Sequence, residues 1–177
     1  MISSRSGINI DIFSEDHRIS CRLGVGPSGL LAQLNDATYS LIEVEDAYFS
    51  RLQQPAKIVQ HFEAAHIAKA QAVLVVVARR EDLGSHAQPR AGYSRVITVP
   101  VMITTPQFEV QGQIEVIHKY DAAELLVGGT GRFVMVFNAS AIATSNPETS
   151  FSGGAILVNK AQVEMLAPIV TRGKPNG

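Results

Sequence analysis

Apolar and polar residues alternate along this chain in short runs, and the same sequence of runs comes round twice. Phe108, Val110, Ile114 and Val116 fall on one side of a run whose other side is Glu109, Gln111, Gln113 and Glu115. Period two over that length marks a half-buried strand. Ninety-one residues earlier, Ile19, Cys21, Leu23 and Val25 alternate with Arg18, Ser20, Arg22 and Gly24 in the same way. The remaining elements fall into line with this pair. Residues 8–13 read as a first strand, 14–17 as a polar turn, 18–25 as the second strand. Gly26-Pro27-Ser28 breaks it, and Ser28 is placed to cap a short helix through Leu34. A long strand over 39–49 stops at Gln53-Gln54-Pro55.

In the second half, strands are expected over 96–104 and 108–117. Asp121-Ala122-Ala123-Glu124 then reads as a capping box with Asp121 as N-cap. Its short helix stops at Gly128-Gly129, where glycine supplies a left-handed cap. A long strand over 132–142 follows, then a break at Asn146-Pro147 and closing strands over 155–158 and 163–166. Residues 62–70 have the composition of a helix. Their counterpart around 153–160 reads as a strand entering a tight turn, and Lys69-Ala70-Gln71 recurs as Lys160-Ala161-Gln162, again 91 apart. The repeat therefore predicts a strand, one short turn and a strand over 73–77 in place of that helix.

The expected fold is all-β with one short helix per repeat: two tandem, similar, strongly bent small β-barrels of SH3/Sm-like type, packed together. Residues 1–7 are an expected loose N-terminus, 8–78 the first β-barrel repeat, 79–93 a linker, 94–168 the second β-barrel repeat and 169–177 a loose C-terminus. Each repeat, at about 70 residues, is near the lower limit for folding alone. Burial against the other repeat would help both.

Phe108-Glu109-Val110-Gln111-Gly112-Gln113-Ile114-Glu115, with Ile156-Leu157-Val158-Asn159-Lys160-Ala161-Gln162-Val163 far downstream, resembles the Sm-like proteins, especially their bacterial Hfq branch. The same layout resembles bacterial tandem-repeat proteins of unknown function. The resemblance implies a bent strand with a central glycine, Gly112, crossing a small barrel. Cys21 stands at that position in the first half. Here a helical segment follows the second strand, whereas Sm-like proteins carry theirs before the first. The Lys-His pair of the Hfq-type RNA site is missing, since neither Lys69 nor Lys160 has a neighbouring histidine. The family's RNA site is not carried over.

Composition changes the picture little. The 177 residues carry a net charge of -1, which gives no support to nucleic-acid binding, although a local basic patch would still allow it. A single cysteine excludes an intramolecular disulfide. No apolar run reads as a signal peptide or a membrane span, so the expected location is cytoplasmic.

Candidate chemistry is thin. Glu43, Glu45, Asp46 and Glu63 are the densest acids, and Glu43 and Glu45 read as a solvated strand face. His61, Glu63 and His66 converge neither as a strand nor as a helix, so no metal site is expected. Gly128 to Gly131 ends a helix instead of opening one, and Ser28 lacks nucleophile-elbow spacing. Cys21 falls on the apolar face as a small buried residue. No catalytic residue, cofactor or metal is expected.

One strand stands out. Phe133, Met135 and Phe137 make one face of 132–141 apolar, and Val134 and Val136 make the other apolar too. Glu43 and Glu45 hold the equivalent places of Met135 and Phe137 in the first half. Phe133, Met135 and Phe137 are therefore the expected interface, between repeats or between subunits. Gly112, Asp121 and Gly128 are the expected structural residues. The leading functional expectation is a non-enzymatic binding or assembly module whose partner is itself (a homo-oligomer) or another protein. An RNA-binding Sm-like protein is the alternative, and an enzyme of unrecognised type a further one.

Overall fold

Alternating segments become strands because one face can be buried while the other meets water. A computed structural model describes residues 6–87 and 95–170. In it ten strands form: β1 (Ser6–Phe13), β2 (His17–Val25), β3 (Leu41–Arg51), β4 (Ile58–Ala68), β5 (Leu74–Val77), β6 (Val96–Thr104), β7 (Phe108–Ile117), β8 (Phe133–Ala143), β9 (Asn146–Asn159) and β10 (Met165–Pro168). Two short helices, α1 (Gly29–Asn35) and α2 (Ala122–Val127), follow β2 and β7. No helix among the described residues is long and apolar enough to cross a membrane. Residues 1–5, 88–94 and 171–177, parts of the expected termini and linker, lie outside the described residues.

The protein is mostly β, as its pattern predicts, but the sheet corrects the expected pair of closed barrels. All ten strands belong to one open sheet, in the order β10-β6-β7-β8-β9-β5-β1-β2-β3-β4. Every pairing is antiparallel. The reason is at the centre, where β5 bonds to β9 of the other half and not to β4 of its own. The ladder therefore runs through both halves and ends at β4 and β10.

That central ribbon is buried on both faces. Val75, Val77, Ala155 and Leu157 point into a cluster built on β1, β2, β3 and α1. Leu74, Val76, Ile156 and Val158 point the other way, into a cluster with Phe108, Val110, Ile103 and Ile114. Two cores thus share one double-sided wall. This is why the stretches 74–77 and 155–158 are continuously apolar instead of alternating. Each Val, Leu or Ile so buried contributes about 1.5–3 kcal/mol of transfer free energy.

Each half bends at a matched place. The β7–β8 register shifts between Gln111 and Gln113, and the β2–β3 register shifts between Ser20 and Arg22. Across from these shifts, Asn138 (φ 45°) and Asp46 (φ 48°) adopt left-handed backbone, which Asn and Asp tolerate best after glycine. Asp121 caps α2 with Oδ1, accepting from the Ala123 and Glu124 amides at 3.0 and 3.2 Å. Ser28 precedes α1 but makes no side-chain cap bond, because its own backbone is already helical (φ -76°, ψ -10°). Gly128 ends α2 in extended, not left-handed, backbone, and a Cβ there would meet the Glu124 carbonyl oxygen at 2.5 Å. The left-handed residue is Gly129 (φ 70°).

The stretch of helical composition over 62–70 is strand, ending in a 3-10 turn at Lys69–Gln71, and Lys160–Gln162 makes the matching turn. Tertiary pairing with β3 overrides alanine's propensity here. Lys69 is buried and donates from Nζ to the Gln33 and Asp36 carbonyls at 2.7 and 2.9 Å, closing the C-terminal end of α1. Lys160 Nζ does the same for α2 at the Gly128 carbonyl, 3.1 Å away. The break expected at Asn146-Pro147 falls earlier, and β9 already begins at Asn146. Within the stretch expected as a linker, Arg80–Leu83 and Ser85–Ala87 form 3-10 turns with Leu83 and Ala87 buried in the first core.

Candidate functional site

Phe133 and Phe137, on β8, are 5% and 4% exposed and pack into the core of the first half. Met135 is half-buried against the same cluster. The Arg80 guanidinium lies over the Phe137 ring, 3.8 Å from its centroid. It also donates to both carboxylate oxygens of Glu115, at 2.5 and 2.7 Å, and to the Ala87 carbonyl. Donating to the Glu115 carboxylate holds the Arg80 pKa above its ordinary value. Polar ties cross beside this patch. Asn35 Oδ1 accepts the Arg132 amide at 2.8 Å, and Asn159 Nδ2 donates to the Ala72 carbonyl at 2.8 Å. Phe133 and Phe137 thus face inward, between the halves, and Met135 keeps part of its surface exposed. Arg80 lay in the stretch read as a linker, and only buried-type Leu83 in that polar run hinted at packing.

The acids and histidines do not gather. His61 stacks on Tyr48 (centroids 4.5 Å apart) and stands 3.5 Å from Asp46, with all three at the surface. His66 lies opposite Glu43 in the β3–β4 register, and Glu45 pairs with Arg22. Among the described residues no three His, Cys, Asp or Glu side chains come together as a metal site. A shallow groove of about 520 Å³ is lined by Asn9, Asp11, Ser20, Cys21, Asp46 and Tyr48, among others. Its central carboxylate is already engaged: Asp11 accepts from the Arg18 guanidinium at 3.1 and 3.2 Å and from the Ser20 hydroxyl.

Burial, reinforced by the charge of Asp11, pushes the Cys21 thiol up to about 12. At pH 8 a thiol reagent is expected to label Cys21 only as fast as the protein unfolds, and at once in denaturant. Prompt labelling of the native protein would contradict the burial. Well below pH 9 the thiol is neutral in both states and has no effect on stability. Between the ordinary value of 9.0 and about 12 only the unfolded chain loses the proton, so stability falls as pH rises through that window.

What the structure leaves open is the backbone of two strands. Among the described residues β4 and β10 end the sheet, each paired on one side only. Of the twelve large apolar side chains exposed among the described residues, six lie on these strands or directly after β10: Ile58, Val59, Phe62, Met165, Ile169 and Val170. Phe62 is 46% and Met165 44% exposed. Sequence reasoning missed this surface. The signal was the Ile58-Val59 pair and Phe62 in a strand whose neighbours are mostly polar or alanine. Compared with protein-family models, with curated proteins and with solved structures, the chain matches none.

Proposed function

We propose that this chain is a non-enzymatic binding or assembly module made of two tandem, strongly bent lobes of SH3/Sm-like type, working through the open edges of its sheet. One observation carries the reading: β4 is an eleven-residue edge strand with unpaired backbone and with Ile58, Val59 and Phe62 exposed. An edge of that kind is a template for strand addition by another chain. The tandem reading is supported by the order strand, strand, helix, strand, strand, 3-10 turn, strand, found once in each half, and by the two cores. The RNA alternative gains nothing from the lysines of the repeated motif, since both close helix ends, and nothing from a net charge of -1.

The test is photo-crosslinking of the full chain in its own cell, with the reactive group at Phe62 or at Met165. Protein adducts are expected from both positions and none from exposed Glu109. Absence of adducts at both edges, or adducts to RNA in their place, would overturn the reading.

A further inference from the structure

The two open edges are the parts of a junction the chain already makes once. β5 and β9 pair as Leu74↔Val158, Val75↔Leu157, Val76↔Ile156 and Val77↔Ala155. β10 begins ninety-one residues after β5, and it rests on β6 in the register in which β5 rests on β1. Met165 faces Thr104 where Leu74 faces Phe13, and Pro168 faces Val101 where Val77 faces Ile10. β4 stands to β3 as β9 stands to β8. Both run into a Lys-Ala-Gln turn, and both lysine amides donate to a carbonyl just ahead of the long strand, Lys69 to Ser40 and Lys160 to Arg132, each at 2.9 Å. Inside the chain, β9 finds β5. At the ends, among the described residues, β4 has no β5-like strand and β10 has no β9-like one.

We infer that a second copy of this chain fills each end: β10 of one copy pairs antiparallel with β4 of the next, as Met165↔Ile67, Leu166↔His66, Ala167↔Ala65 and Pro168↔Ala64. This rests on the assembly reading above and names its partner. The backbone is suitably turned. Because the Lys69 amide bonds to β3's side, strand alternation points the amides of Ala68, His66 and Ala64 to the open side. On β10 the Ile169 amide bonds to the Pro100 carbonyl at 2.8 Å, so Leu166 and Pro168 turn outward. Pro168 removes one donor from that side but keeps its carbonyl. A four-residue β10 is long enough, since β5 forms the internal junction with four pairs. β4 carries neither lysine nor proline along its length, the usual devices against edge pairing. Exposed Met165 would take the place that fully buried Leu74 holds at the internal junction. Such a contact is heterologous, so each added copy keeps one open edge, and chains join head to tail.

Two variants of the full chain test this together. His66→Pro removes an amide that faces the open side and leaves the β3 pairing intact. Met165→Asp places a charge where the junction would bury it. By light scattering after size exclusion, the unaltered chain is expected to self-associate with rising concentration and each variant alone to remain single. Their equimolar mixture is expected to give a two-chain species, because each contributes the edge the other lacks. An unaltered chain that stays single, a variant that still multimerises, or a mixture that stays single would each overturn the inference.

A second measurement does not depend on blocking. In a Cys21→Ala background, Ala65→Cys with Ala167→Cys is expected to give an inter-chain disulfide ladder on oxidation, and its absence counts against the register. Edge crosslinks to a different protein, with no self-association, would sink the second-copy inference and leave the module reading standing. No edge crosslinks at all would sink both.

Discussion

Replacing Phe137 by alanine is expected to lower stability by about 3–5 kcal/mol and to move one melting transition shared by both halves. The ring belongs to β8 in the second half but is buried in the core of the first. Its removal opens a cavity beside its own strand but within the core of the other half. The Arg80 guanidinium, 3.8 Å from the ring centroid, also loses its aromatic platform, a contact worth about 0.5–2 kcal/mol. Arg80 keeps its bonds to Glu115 and Ala87, so the charge is not orphaned. Met135, half-buried on the same face, is expected to cost clearly less when truncated. A loss of this size is a large part of the roughly 5–15 kcal/mol that holds a typical domain folded. Calorimetry and denaturant titration read it directly. Two separate transitions, with only one displaced by the change, would show that the halves are not coupled through this ring.

That coupling is also where sequence reading reached and where it stopped. Period-two alternation located β1, β2, β6 and β7 closely, because each of those strands buries one face over most of its length. The matched Lys-Ala-Gln motifs placed β4 and β5 against alanine's helical propensity. Two-sided apolar runs flagged β8, and β5 and β9 proved to be of the same kind. What alternation does not encode is which strand lies beside which. An apolar run that needs cover on two faces is satisfied equally by a closed barrel packed on a second barrel and by one sheet whose central ribbon serves two cores. The pairing of Val76 with Ile156 decides for the sheet, and it joins residues eighty apart. The open edges were illegible for a related reason. Ile58, Val59 and Phe62 look like ordinary strand residues until β3 is found on one side of them and no described strand on the other.

Gly112→Cys is the sharper test of how alike the two halves are, since cysteine already occupies the corresponding position 21. It is expected to destabilise by at least about 1–3 kcal/mol, and Gly112→Val by more. A Cβ at 112 would sit 2.7 Å from Val136 Cγ1, 2.8 Å from the Phe137 carbonyl oxygen and 2.9 Å from Ala139 Cβ. The carbonyl is backbone, and Val136 and Ala139 are packed in the second core, so none of the three yields easily. The backbone at 112 is not left-handed, so the glycine is there for the close approach of β8 and not for its own torsion angles. In the first half the same bulge accommodates Cys21, which is buried in one cluster with Ile10, Leu23 and Val44. Cys21→Ala is therefore expected to cost under about 1.5 kcal/mol. Equal stability of Gly112→Cys and the unaltered chain, read as the urea midpoint at constant slope, would mean that β8 can draw back from β7 at this point. The bend of the second half would then be set by Asn138 alone.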